Sequence, residues 1–388
     1  MHFCIFNNGI MTEDAMSGCE QRVLNWLPIF SKATESLTVI TSKQGRSRFD
    51  KVQVIETTGF SLKGGLGLFI SYLARAIKGC RVIKSIALKP EDKNIIYSAS
   101  DLIADFFPAL WLKRKYKNAF LMVGLHLIAP CPCKGFVKYY QKGFSLPTLS
   151  GIYYYFSQKL ILSLAKKQAS LILVSNHRDK EILLKKDFKP EKILVTHGAV
   201  NSRSIEEANS DEIIYDACYV GRFHPQKGFG DLIDIWAKVI KELPESKLAV
   251  IGYDINLEKV KEKVKSKGLD KNIIFLGFIG GKDKYRLIKS SKVSLVPSYY
   301  ESFGMVILEA LACGVPVVAY DLPVYKNIYT KGVEMVDIGN KEHFTSTVIS
   351  LLKNKDKRQS LSQEGKDLSK RFSWQETAND ILRRLTNS

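Results

Sequence analysis

The sequence predicts an α/β chain built from two doubly wound, parallel-sheet domains, and three observations carry that expectation. Short β-branched runs alternate with amphipathic helical stretches along the chain, which is the pattern of βαβ units. A length of 388 residues suffices for two cores, at about 100–200 residues each. Residues 202–212, SRSIEEANSDE, are polar and read as a linker. The first domain is therefore expected over 1–201 and the second from 202 onward.

Residues 3–6 open the first sheet, and the next helix, 20–30, places Val23, Leu24, Leu27 and Phe30 on one face. Gly18 stands at its start. Strands follow at 37–41 and 52–56, then a helix at 66–78, a strand at 95–98 and a helix at 101–116 bent at Pro108. Residues 119–123 form the next strand. His126 lies just past its carboxyl end, the edge at which open parallel sheets bind ligands. Residues 130–158 interleave Phe136, Tyr139, Tyr140 and Phe144 with Lys134, Lys138 and Lys142. This composition suits a membrane-interface segment, a nucleic-acid stacking surface or a loop covering a domain edge. A helix at 154–169, a strand at 171–174, a helix at 178–186 and a strand at 193–196 complete the first half.

In the second half, the strand 216–220 runs into Gly221-Arg222-Phe223-His224-Pro225-Gln226-Lys227-Gly228, after which 229–243 reads as a helix. Two cations thus leave one strand-to-helix turn. Strands follow at 247–251 and 273–276, the latter ending at Gly277-Phe278. The most informative stretch is 297–321, PSYYESFGMVILEALACGVPVVAYD, which comes after the strand 293–296. A helix is expected to start near Phe303 or Gly304 and to stop at Gly314, with a strand at 315–319. Glu301 lies in the turn at the strand's carboxyl end, and Glu309 lies inside the helix. Gly304 and Met305 sit where helix N–H groups face an anion. Carboxylates accept hydrogen bonds from hydroxyls, so two acids beside an anion site suit a nucleotide-sugar. A short helix, a strand at 333–336 and helices at 341–353, 355–370 and from 374 to 385 end the chain.

Glu301-Ser-Phe-Gly-Met-Val-Ile-Leu-Glu309, followed by Gly314-Val-Pro316, resembles the Glu-x7-Glu signature of glycosyltransferase family 4, the retaining enzymes of the GT-B fold. The resemblance implies two Rossmann-like domains facing a cleft, with the last helix, 373–388, crossing back to the first domain. The nucleotide-sugar domain would then be 202–372. It also implies a transfer of a sugar, with retention, from a nucleoside-diphosphate sugar to a hydroxyl acceptor, in polysaccharide, glycolipid or lipid-linked glycan assembly. Arg222 and Lys227 would hold the diphosphate and Glu301 the sugar hydroxyls. Glu309 would bind the ribose, and Phe303, Gly304, Met305 and Phe278 would line the donor. Gly18 and His126 would serve the sugar, His126 through a hydrogen bond. The expected catalytic set is Glu301, His126, Arg222 and Lys227. No Asp-x-Asp sequence occurs, so no metal or cofactor is expected beyond the donor. A sugar-nucleotide epimerase or phosphorylase of the same fold remains the enzyme alternative.

The net charge is +19, and residues 1–200 hold most of it, with 29 Lys and Arg against 14 Asp and Glu. Such a surface attracts anionic lipid, phosphate-bearing acceptors or nucleic acid. No nucleic-acid module is recognised, so a basic nucleic-acid-binding protein is the alternative from another class. The expected place of action is the cytoplasm, with peripheral contact at the inner face of the membrane. The 7 cysteines lack zinc spacing and read as reduced.

Overall fold

The computed structural model describes residues 1–10, 16–62, 64–210, 212–252 and 257–386. The chain divides into two compact units: 1–135, 145–198 and 374–388 form the first, and 136–144 with 199–373 form the second.

The first unit comprises β1 (His2–Asn7), α1 (Gly18–Ala33), β2 (Ser36–Thr41), β3 (Gln53–Glu56), α2 (Gly64–Val82) and β4 (Asn94–Ser98). It continues with α3 (Ile103–Lys115), β5 (Phe120–Leu125), α4 (Leu149–Gln168), β6 (Leu171–Val174), α5 (His177–Leu184) and β7 (Ile193–Val195). These strands form one 7-stranded sheet in the order β3-β2-β1-β4-β5-β6-β7, with parallel pairing. The central strands β1, β4, β5 and β6 are buried on both faces, which is why they read as nearly continuous apolar runs. One face carries Ile96, Phe106, Leu121 and Ile161 under α2, α3 and α4. On α1, Trp26 and Phe30 form an aromatic layer with Phe3 and Tyr97.

The second unit comprises α6 (Ser202–Glu206), β8 (Tyr215–Val220), α7 (Phe229–Glu242), β9 (Leu248–Ile251), α8 (Leu257–Ser266), β10 (Ile273–Gly277) and α9 (Gly281–Lys289). Then come β11 (Ser291–Val296), α10 (Met305–Ala312), β12 (Val317–Tyr320), β13 (Val333–Val336), α11 (Lys341–Lys353) and α12 (Lys355–Ser369). Its 6-stranded sheet runs β10-β9-β8-β11-β12-β13, again parallel. Alternate strand residues feed two cores. Cys218 lies with the α10 side chains Ile307 and Leu311, and its neighbours Ala217 and Tyr219 lie with Trp236 of α7 and Phe344 of α11. The last helix, α13 (Trp374–Thr386), belongs to the first unit, where Trp374 meets Trp26 edge-on at 6.3 Å.

Several boundaries differ from the sequence expectation. The linker stretch contains α6, capped by the Asn201 side chain and held by Lys289 Nζ donating to the Ile205 carbonyl at 2.6 Å. Residue 211 of that stretch lies outside the described residues. β5 runs on to Leu125, so only His126 is past its end. α4 begins at Leu149 because Thr148 caps it, accepting from the Gly151 N–H. After β12 the expected short helix is a succession of turns.

Candidate functional site

The turns after β8 and β11 leave neighbouring strands of the second sheet. The first turn tightens at Pro225–Lys227 and enters α7 through Gly228. Gly228 has φ 66°, and a Cβ there would stand 1.8 Å from the Pro297 carbonyl oxygen. Only glycine lets the two turns touch. Gln226 stitches them further, its side chain donating to the Tyr300 carbonyl at 2.9 Å and its own carbonyl accepting from the Tyr299 N–H at 2.8 Å.

This stitching sets Lys227 beside Glu301, although 74 residues separate them in the chain. Lys227 Nζ lies 2.5 Å from Glu301 Oε1, and Ser298 Oγ donates to the same oxygen at 3.0 Å. The two side chains keep 21% and 13% of their surface, so the pair is reachable from solvent. Arg222 leaves the same turn exposed, and its carbonyl is held by the Tyr219 hydroxyl at 2.8 Å.

Gly304 caps α10 with φ 79°, and Met305, half-buried, is the first residue of the helix. A Cβ on Gly304 would lie 2.9 Å from the Tyr325 ring, so glycine is required by the backbone angle and by the ring behind it. The Gly304 carbonyl accepts from the Tyr329 hydroxyl at 3.0 Å, which anchors the helix start. The buried Tyr325 hydroxyl makes no hydrogen bond among the described residues. Burial, with the Glu301 charge nearby, pushes its ionisation well up, so it stays a neutral donor.

Glu309 is buried on α10, with Lys284 Nζ of α9 at 2.6 Å from its Oε1. Sequence reasoning missed both α9 and Lys284. The signal available was the Tyr285 and Ile288 spacing just after Gly281. Phe303 turns inward and packs against Tyr329 and Phe372 at 5.8 and 5.7 Å, so its side chain is core. Phe278, just past β10, is exposed.

Residues 136–144 pack on this same turn. Phe136, Tyr139 and Tyr140 surround Tyr300, the neighbour of Glu301, at ring-centroid distances of 5.4, 4.7 and 5.7 Å. Gln141 Nε2 donates to the Ile338 carbonyl at 3.3 Å. This part of the basic-aromatic segment is an internal brace of the second unit.

Gly18 and His126 belong to the first unit. Gly18 opens α1 behind a Ser17–Glu20 capping box, and a Cβ on it would meet nothing within 4 Å. His126 has both ring nitrogens buried, with the Ala99 backbone close against the ring. Burial, then the Arg22 cation, holds its pKa well below the usual histidine range, so the imidazole is neutral. Arg22 itself donates to the Thr196 and His197 carbonyls at 2.7 and 3.1 Å and to Ser175 Oγ at 3.1 Å.

Residues 201–368 match the family Glycosyl transferases group 1. The phosphatidyl-myo-inositol mannosyltransferase of Mycobacterium leprae is 28% identical over 169 residues, 42% of this chain and 44% of the relative. The D-inositol 3-phosphate glycosyltransferase of Segniliparus rotundus is 30% identical over 171 residues, 42% of this chain and 38% of the relative. The chain thus spans less than half the length of these curated relatives. Among solved structures, Anabaena HepE in complex with UDP-glucose superposes with a TM-score of 0.75 at 16% identity, covering 100% of both chains. Sucrose-phosphate synthase from Thermosynechococcus elongatus gives 0.73 at 17%, covering 100% of this chain and 99% of that one. These likenesses carry the fold, GT-B, with two Rossmann-like parallel-sheet units. The likeness to the Glycosyl transferases group 1 family lies in residues 201–368, within the second unit.

Proposed function

We propose that this chain is a retaining glycosyltransferase that moves a hexose from a nucleoside-diphosphate sugar to a hydroxyl acceptor. The observation that carries the reading is the meeting of Lys227 and Glu301 at 2.5 Å where two neighbouring strands end, next to the start of α10. A cation for phosphate, a carboxylate for hydroxyls and helix N–H groups for an anion then share one sheet edge. In this reading Lys227 and Arg222 hold the diphosphate and stabilise the charge that grows on it as the glycosidic bond breaks. The α10 N-terminus at Gly304 and Met305 shares that load. Glu301 accepts from hydroxyls of the transferred sugar, Glu309 from the ribose, and Phe278 lies beside the base. His126, neutral, offers a hydrogen bond to a sugar hydroxyl. The leaving phosphate takes the acceptor's proton, so no protein nucleophile is needed.

UDP and UDP-glucose bound to HepE support a nucleotide-sugar donor here. The phosphatidyl-inositol and inositol-phosphate relatives, with the basic first half, favour an acceptor bearing phosphate or a lipid. Thermal-shift measurements against UDP, GDP, ADP and dTDP and their sugars test the donor half. One nucleotide should stabilise the protein, less so in Lys227→Ala and Glu309→Ala. Absence of stabilisation by any nucleotide would falsify the reading, and product analysis with the stabilising donor separates transfer from epimerisation.

A further inference from the structure

Helices α2 and α4 of the first unit lie side by side and run in the same direction. Phe69 meets Tyr153 edge-on at 5.0 Å, and a Cβ on Gly65 would stand 3.2 Å from the Ser150 nitrogen. Their outward faces are apolar. On α2, Leu66, Ile70, Leu73 and Ile77 recur at helical spacing and are all exposed, Leu66 by 64%. On α4, Leu149, Ile152, Phe156 and Leu160 do the same, with Leu149 at 71% and Phe156 at 60%. Single exposed leucines are ordinary in a folded protein, but two adjoining stripes of four are not.

Charge decides what covers this face. Neither helix contains an Asp or a Glu. Both stripes run toward basic ends: Arg81 closes α2, and Lys166 and Lys167 close α4. Lys113, Arg114 and Lys115 lie in the last turn of α3, which packs on α2 and exposes Trp111. An acid, Asp187, stands at this border and pairs with Lys166 at 3.4 Å. Apolar side chains with an aromatic ring, bordered mainly by cations, match the acyl boundary and headgroups of an anionic bilayer. No described helix is long and apolar enough to cross a membrane, so such a face would lie on the surface.

We infer that the α2–α4 face is a docking surface for an anionic lipid bilayer. The surface is distinct from Phe136, Tyr139 and Tyr140, whose rings are turned onto Tyr300. It holds independently of the transferase reading.

The test is flotation of the full chain with phosphatidylcholine vesicles, with and without phosphatidylglycerol. The wild type should partition onto the anionic vesicles at least about tenfold more than onto the neutral ones, and less as salt rises. Leu66→Ser with Leu149→Ser and Phe156→Ser should lower that partition by about tenfold, and Lys166→Gln with Lys167→Gln by a smaller factor. Nucleotide-induced thermal shifts measured on the same variants should match the wild type. Equal partition onto both vesicles, or serine variants that bind like the wild type, would overturn the inference. So would a wild-type dimer that the serine variants dissolve while neither species floats, because the face would then serve self-association. If vesicles bind and no nucleotide does, the docking surface stands and the donor reading falls.

Discussion

The carboxyl edges of the two sheets are built from similar residue types and put to opposite uses. In the second unit the charged groups at this edge, Lys227 and Glu301, meet where solvent reaches them. In the first unit they are sealed. Asp105 is buried and accepts from the Asn8 and Gly9 N–H groups at 2.5 and 3.0 Å and from Ser100 Oγ at 2.5 Å. Burial pushes its carboxyl up to about 7 in spite of those bonds. Arg75, also buried, donates to the Asn8, Ile10 and Phe60 carbonyls and to Gln44. The difference separates sealed residues that hold loops in shape from a pair left open to solvent.

The contrast breaks most readily at Arg75. Replacing it with Met leaves three carbonyls without their cationic donor and should cost about 3–5 kcal/mol in stability. Denaturant unfolding measures the loss, and the nucleotide affinity of the protein that remains folded should be unchanged. Lys227→Ala should behave in the opposite way. Its melting temperature should stay near that of the wild type, because a partly exposed ion pair contributes about 1 kcal/mol or less. Transfer should nevertheless fall by about 10²–10³, as expected for loss of a charge aimed at a developing anion. A large loss of stability in this variant would make Lys227 a structural residue like Arg75.

Gly228→Ala tests the stitching of the two turns. The added methyl meets Pro297 backbone at a positive φ, and the cost should reach about 2 kcal/mol. Nucleotide binding should weaken along with stability, because the same contact positions Lys227. The smallest effect concerns Asp105. Its folded pKa lies above the ordinary value of 3.8, so the folded state holds the proton more tightly than the unfolded chain. Stability therefore falls as pH rises from about 4 to about 7. Asp105→Asn keeps an acceptor for both N–H groups and supplies a donor to Ser100. It should flatten that slope, gaining about 1–2 kcal/mol at pH 8 and nothing at pH 4. Urea denaturation across the pH range reads this directly.

Much of the architecture was legible because buried parallel strands leave unbroken apolar runs. The Glu301 to Glu309 stretch and the Arg222 to Lys227 turn were legible because glycines and charges stand at strand ends. What escaped depends on contacts distant in sequence. Lys284 is one lysine among many, and only folding brings it to Glu309. Phe136, Tyr139 and Tyr140 carry no periodicity that points to Tyr300. The linker reading of residues 202–206 failed because polar composition cannot reveal that α6 rests on α9. The stripes of α2 and α4 were hidden for another reason. Both helices are apolar on their inner faces as well, through residues such as Leu68, Phe69, Ile161 and Leu162, so the sequence shows hydrophobicity without showing which side is left uncovered.

The brace formed by residues 136–144 bears on how such chains can be recombined. A chimera that joined the first half of one relative to the second half of another near residue 198 would carry every strand of both sheets intact. It would also exchange the three rings around Tyr300, because they are encoded upstream of the unit they serve. Halves from divergent relatives would then meet with a mismatched cover beside Glu301. Grafting 136–144 together with 199–373 moves the second unit as an inheritable whole.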